Sequence, residues 1–108
     1  MRLQIKGRNV EVSDSIRAYA EQKLSKLDRQ LNEATQVELE LCVERNPSIA
    51  TNQVAEATVR ARGLSLRARE SARDMKAAID ELTEKLLRQA RTEREPEPEA
   101  ELDAEPLE

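Results

Sequence analysis

The chain has 108 residues, with 18 Lys+Arg, 22 Asp+Glu, one Cys, one Tyr and no His, Phe or Trp. That length allows one domain with a small core built from Leu, Ile, Val and Ala. The absent His removes the commonest general base and metal ligand, and the lone Cys42 excludes an internal disulfide and points to a reducing compartment.

The net charge of −4 conceals a division along the chain. Residues 95–108 hold seven acids and no base, so residues 1–94 carry 18 bases against 15 acids, a charge of +3. No apolar run resembles a signal peptide, and none approaches the roughly 20 residues of a membrane span. The expectation is a cytoplasmic protein with a mildly basic folded part and an acidic tail.

In chain order, Leu3 and Ile5 alternate with Arg2, Gln4 and Lys6, and Gly7 closes a short first strand. Ile16, Ala20, Leu24, Leu27 and Leu31 then recur at intervals of three and four. That spacing predicts one helix over 14–31 with an apolar stripe, Ser13 as its N-cap and Asn32 as its stop. The period changes to two at Val37, Leu39, Leu41 and Val43, with Glu38, Glu40, Cys42 and Glu44 facing the other way. Asn46-Pro47-Ser48 ends that strand, because proline cannot donate to a ladder. A third strand puts Ala55, Ala57, Val59 and Ala61 inward and Glu56, Thr58, Arg60 and Arg62 outward. Gly63 turns a tight hairpin into a fourth, with Leu64, Leu66 and Ala68 inward and Arg67 and Arg69 outward.

Ser71-Ala72-Arg73-Asp74 reads as a capping box with Asp in place of Glu. Met75, Ala78, Ile79, Leu82 and Leu86 form the stripe of a second helix running to about residue 94. Pro96 and Pro98 do not extend it, and residues 95–108 have too little apolar content to offset ordering, so a disordered acidic tail is expected. The fold class is α+β: the order β-α-β-β-β-α, with one apolar face per element, makes a four-stranded sheet with both helices on one face. The last three strands form an antiparallel meander, and a right-handed crossover sets the first strand parallel to a neighbour.

The residues offer little to catalysis. Cys42 has no His to activate it, and two glycines build no phosphate-cradling loop. Glu38 and Glu40 lie opposite Arg60 and Arg62, where cross-strand pairing accounts for them. No catalytic residue, metal, cofactor or small-molecule substrate is expected. The basic residues say more. Lys26 and Arg29 lie away from the first helix's apolar stripe, with Lys23 at its edge. On the second helix Arg73, Lys76, Arg88, Arg91 and Arg94 lie broadly opposite the stripe, with Lys85 at its margin. Both an ordinary solvated face, with Glu81/Lys85 and Glu84/Arg88 helix pairs, and a nucleic-acid surface fit this pattern. Cations at a helix C-terminus also favour its dipole. Tyr19 either covers the sheet edge or stacks on a base.

IKGRNVEVSDSIRAYAEQKLSKLDRQL, with Gly7, Val10, Val12, Ile16-Arg17 and Lys23-Leu24…Lys26-Leu27, is similar to the opening of the ribosome hibernation factors, the family of hibernation-promoting factor and the ribosome-associated inhibitor YfiA. DMKAAIDELTEKLLRQ resembles that family's last helix at Asp74, Met75, Ala78, Ile79, Asp80, Lys85, Leu86, Arg88 and Gln89. The likeness covers about residues 1–92. It departs at Ala90, where the family usually has Leu, at Thr92, where a base is common, and at Lys76, which replaces a frequent Tyr.

The resemblance implies the same β-α-β-β-β-α fold and binding in the decoding region of the small ribosomal subunit, at the subunit interface, where it blocks tRNA and mRNA. It implies ribosomal RNA contacts at Lys23, Lys26, Arg29, Lys85 and Arg88, with Arg91 continuing the surface. The 14-residue acidic tail does not supply the long form's dimerisation domain, so a short form that is monomeric off the ribosome is expected. Two other readings stay open: a general double-stranded RNA-binding domain, and a protein-interaction module using the open charged face of the sheet. The tail either competes with RNA phosphates for Lys85, Arg88, Arg91 and Arg94 or only aids solubility.

Overall fold

In the computed structural model, residues 1–31, 34–45 and 50–94 are described, with backbone only for 93 and 94. The expected tail at 95–108, the helix stop at Asn32 and the strand end at Asn46-Pro47-Ser48 lie outside these residues. The elements are β1 (Arg2–Arg8), α1 (Asp14–Leu24), α2 (Lys26–Leu31), β2 (Gln36–Val43), β3 (Gln53–Ala61), β4 (Leu64–Ala72) and α3 (Met75–Arg94). The sheet order is β1-β2-β3-β4. β1 pairs parallel to β2, and β2, β3 and β4 pair antiparallel, as the meander and the crossover require.

The period of two in the strands decides the layers. Leu3, Val37, Val59 and Leu66 share one row across the sheet, and Ile5, Leu39, Ala57 and Ala68 share another. These rows pack with Ala20, Leu24, Leu27 and Leu31 of α1 and α2 and with Ile79, Leu82, Leu86 and Ala90 of α3 in one core. All helices therefore cover the same face. The core has no aromatic ring, so its cohesion rests on many small aliphatic contacts.

Four local expectations are corrected. The first helix is not continuous over 14–31: Ser13 caps α1 by accepting from the Ile16 amide at 3.1 Å, but Ser25 separates α1 from α2. Its hydroxyl donates to the Gln22 carbonyl at 2.8 Å, the local competition for helix carbonyls that bends a helix. Second, Ser71 does not cap the last helix. It belongs to β4, and Asp74 is the cap, accepting from the Ala77 amide at 2.8 Å. Ladder pairing with Val54 holds Ser71 in the sheet. Third, Gly7 does not close the strand, which runs on to Arg8. Instead a Cβ at Gly7 would collide with the Val10 carbonyl oxygen, which crosses directly over it. Fourth, Cys42 sits on the face away from the helices as expected but is buried together with its cross-strand neighbour Val54. Gly63 does turn the β3–β4 hairpin, at φ 65°.

Asp28 anchors the start of the sheet. Its Oδ1 accepts from the Thr35 amide at 3.0 Å and the Thr35 hydroxyl at 2.9 Å, and its Oδ2 lies 3.0 Å from the Met1 ammonium. Burial alone would raise the Asp28 pKa. The hydrogen bonds from the ammonium and from Thr35 outweigh that and hold it below the usual carboxylate value.

Candidate nucleic-acid interface

Helical geometry sorts the basic side chains of α3. With 3.6 residues per turn, burial of Met75, Ala78, Ile79, Leu82, Leu86 and Ala90 fixes one face on the core. Arg88 and Arg91 then stand opposite it, both exposed. Lys85 falls on the flank nearer β4. There it meets Glu70, which occupies a helix-facing position in the row Gly7–Leu41–Ala55–Glu70. The Lys85 ammonium lies 3.2 Å from the Glu70 carboxylate, so its partner is on β4 rather than Glu81 of its own helix.

The opposite flank of α3 faces α1. Tyr19 Oη donates to Asp80 Oδ1 at 2.6 Å. The Lys23 ammonium is 3.6 Å from the same oxygen and 5.5 Å from the Tyr19 ring centre, while the Lys76 ammonium is 5.2 Å from it. Tyr19 therefore neither caps the sheet edge nor stands free for stacking. Its ring ties two helices together under two cations. The hydrogen bond to Asp80, followed by partial burial and the charges of Asp80 and Asp74, pushes the Tyr19 pKa up. Lys26 and Arg29 are exposed on α2.

The six basic residues expected at the interface thus divide. Lys26, Arg29, Arg88 and Arg91 are exposed, and Lys23 and Lys85 are half-buried in ion pairs. Lys85 and Arg88 also border an open depression of about 550 Å³ between the end of α3 and the start of β4. Ser65, Leu66, Arg67, Gln89 and Thr92 line it as well. The Arg67 guanidinium is held by Glu56 on the opposite face of the sheet, so the cations presented here are Lys85 and Arg88, beside the Gln89 amide. That donor set suits phosphate oxygens, which only accept hydrogen bonds. Arg67 faces outward on the open face of the sheet, as the alternation of β4 predicts. What sequence reading missed is the return of α3 alongside β4, which brings the hairpin's start next to the helix's end.

Three comparisons place this arrangement among known proteins. The chain is 38% identical over 95 residues to a ribosome hibernation promotion factor of Lactococcus lactis, matching 84% of this chain and 48% of the relative. It is 37% identical over 89 residues to a ribosome hibernation promoting factor of Azotobacter vinelandii, matching 82% of this chain and 78% of the relative. The chain thus spans about half the length of the Lactococcus protein. The crystal structure of the N-terminal domain of Thermus thermophilus Protein Y superposes with a TM-score of 0.77 at 31% identity, over 87% of this chain and 100% of that one. The resemblance carried by the two helix motifs holds. Residues 3–96 match the model of one family, and the chain belongs to it: the sigma 54 modulation protein / S30EA ribosomal protein family.

Proposed function

We propose that this chain is the ribosome-binding part of a hibernation factor, docking in the decoding region of the small subunit at the subunit interface and excluding tRNA and mRNA. The observation that carries the reading is the set of exposed cations on the helical layer, Lys26 and Arg29 on α2 and Arg88 and Arg91 on α3, in a chain similar to hibernation factors along most of its length. The mechanism is occlusion. Each cation neutralises a backbone phosphate and releases counterions, and the bound domain fills space that tRNA and mRNA need.

Lys23 and Lys85 take part by exchange. An exposed ion pair is worth about 0–1 kcal/mol, so a phosphate displaces the carboxylate of Asp80 or Glu70 at little cost. Binding has the steep salt dependence of a contact made through several phosphates. Sedimentation of the full chain with purified small subunits through sucrose gradients, at low and moderate salt, tests the reading. Co-migration with the subunit, weakening as salt rises, supports it. A chain that stays at the top of the gradient contradicts it, and equal binding to free duplex RNA favours a general duplex-binding domain.

A further inference from the structure

The helices carry only part of the positive charge of residues 1–94, nine bases against seven acids. Four rows of the sheet face away from them, and these carry six bases (Arg2, Lys6, Arg8, Arg60, Arg67 and Arg69) against three acids (Glu38, Glu40 and Glu56). That excess equals the +3 of residues 1–94 as a whole, so the remaining side chains of those residues sum to neutral.

The open face is also divided internally. Arg60 pairs with Glu38 at 3.4 Å, Arg67 with Glu56 at 3.0 Å and Arg69 with Glu44 at 3.6 Å. Those three arginines answer carboxylates of β2 and β3 or, for Glu44, of the residue just after β2. On β1, Arg2, Lys6 and Arg8 make no ion pair with any described residue. All three are exposed. With Gln4 they make every open-face position of β1 from Arg2 to Arg8 a hydrogen-bond donor. The donors repeat about every 7 Å over roughly 20 Å, an interval comparable to the spacing of charges along an extended phosphodiester chain. β1 is an edge of the sheet, so no further strand among the described residues flanks that approach. The centre of the face is an open trough in which Glu38, Glu40 and Glu56 lie, with Gln4 and Lys6 of β1 on one side and Arg67 on the other, so an anion is favoured along the β1 side rather than across the sheet.

We infer that the open-face column of β1, Arg2, Gln4, Lys6 and Arg8, is a second RNA-backbone contact, running along a single strand of RNA on the side of the domain opposite the helices. The inference rests on the proposed ribosomal role for the identity of that RNA. A domain lodged between RNA elements of the subunit then meets phosphates on both of its faces. Charged side chains on an edge strand also guard against strand-to-strand aggregation, and the experiment separates the two roles.

Arg2→Gln/Lys6→Gln/Arg8→Gln removes the charge and keeps a hydrogen-bonding side chain at each position. Arg60→Gln/Arg69→Gln removes two cations that carboxylates already hold. Both are compared with the full wild-type chain for binding to a labelled single-stranded uridine oligonucleotide across a salt series, and for sedimentation with small subunits, with melting midpoints as the folding control. The triple variant is expected to bind the oligonucleotide at least about tenfold more weakly at roughly 0.1 M salt, with a log–log salt slope shallower by about two, the release expected from three phosphates of a single strand. The double variant is expected to change less than half as much. Unchanged affinity and slope in the triple variant, with or without aggregation, overturn the inference, as does a wild type that binds no oligonucleotide at about 50 mM salt. Failure of the ribosomal reading looks different: the wild type then binds the oligonucleotide, the triple variant loses it, and neither sediments with the subunit.

Discussion

Tyr19 and Asp80 lie 61 positions apart and share a hydrogen bond of 2.6 Å that joins α1 to α3. Because Asp80 also holds Lys23 and the Tyr19 ring lies under Lys23 and Lys76, one contact sets the relative position of cations on both helices. Tyr19 is the sole tyrosine and there is no tryptophan, so its ionisation is readable directly by ultraviolet titration. Its pKa is raised, so the contact's contribution is complete below about pH 10 and disappears as pH rises through the folded-state value. The phenol is expected to titrate above a free tyrosine, and Asp80→Asn is expected to bring it down. A phenol in the wild type that titrates like the free amino acid would show that the contact is not made.

Asp28 gives the acid counterpart. Its folded pKa lies below its unfolded one, so the stability it contributes is present above about pH 4 and is lost as pH falls through the folded value. Asp28→Asn is expected to cost about 1.5–3 kcal/mol near neutrality, the range for hydrogen bonds to a charged acceptor. Denaturant titrations from pH 7 to pH 3 check this. The wild type should lose stability faster than the variant across the acid end, and parallel curves would rule the linkage out.

The core makes two predictions of different kinds. Leu24 and Leu82 are fully buried, and Leu24→Ala or Leu82→Ala is expected to destabilise by about 2–5 kcal/mol through lost contacts and a residual cavity. Gly7→Ala has the opposite fault, because a methyl group there must push the Val10 carbonyl aside, at about 1–3 kcal/mol. Equilibrium unfolding of the three variants measures both effects. An unchanged midpoint for Gly7→Ala would mean that the Val10 segment yields freely.

For residues 95–108, we propose that the seven acids compete with RNA for the cations at the end of α3. Ending the chain at Arg94 is then expected to tighten binding to generic RNA, most clearly at about 50 mM salt, with a smaller change in ribosome binding. Equal RNA affinities for the two chains would leave the segment a solubilising role only.

How far the sequence carried this picture follows from the range of each interaction. The strands and helices were legible because Val37 to Val43 alternate and Ile79, Leu82 and Leu86 recur at helical intervals, and periodicity needs only near neighbours. The antiparallel meander and a first strand parallel to some neighbour followed from the order of the elements and the crossover; that this neighbour is β2 came from the structure. What escaped was decided elsewhere. Lys85 read as a partner of Glu81, yet Glu70 on β4 takes it. Tyr19 read as a sheet cover or a stacking ring because nothing nearby announces Asp80. The break at Ser25 and the cap at Asp74 are contests between local hydrogen bonds that a stripe of leucines does not report. The basic positions were visible, and so was their division: Lys26, Arg29, Arg88 and Arg91 read as facing away from the stripes and stay exposed, while Lys23 and Lys85, at the margins, are half-buried. The partners that hold those two were not visible.

The ion pairs also change which variants test function cleanly. Lys85→Glu would set a carboxylate against Glu70 and disturb the fold as well as the surface. Arg88 and Arg91 stand exposed on α3 with no ion-pair partner among the described residues, so Arg88→Glu/Arg91→Glu alters charge while leaving the core intact. The most direct measurement is tRNA binding to purified small subunits as the full chain is added, with this double variant beside the wild type. The account predicts that the wild type displaces tRNA in proportion to its own binding, and that the variant, folded to the same melting midpoint, loses most of that capacity. Undiminished tRNA binding at saturating wild type, or equal displacement by the double variant, would contradict it.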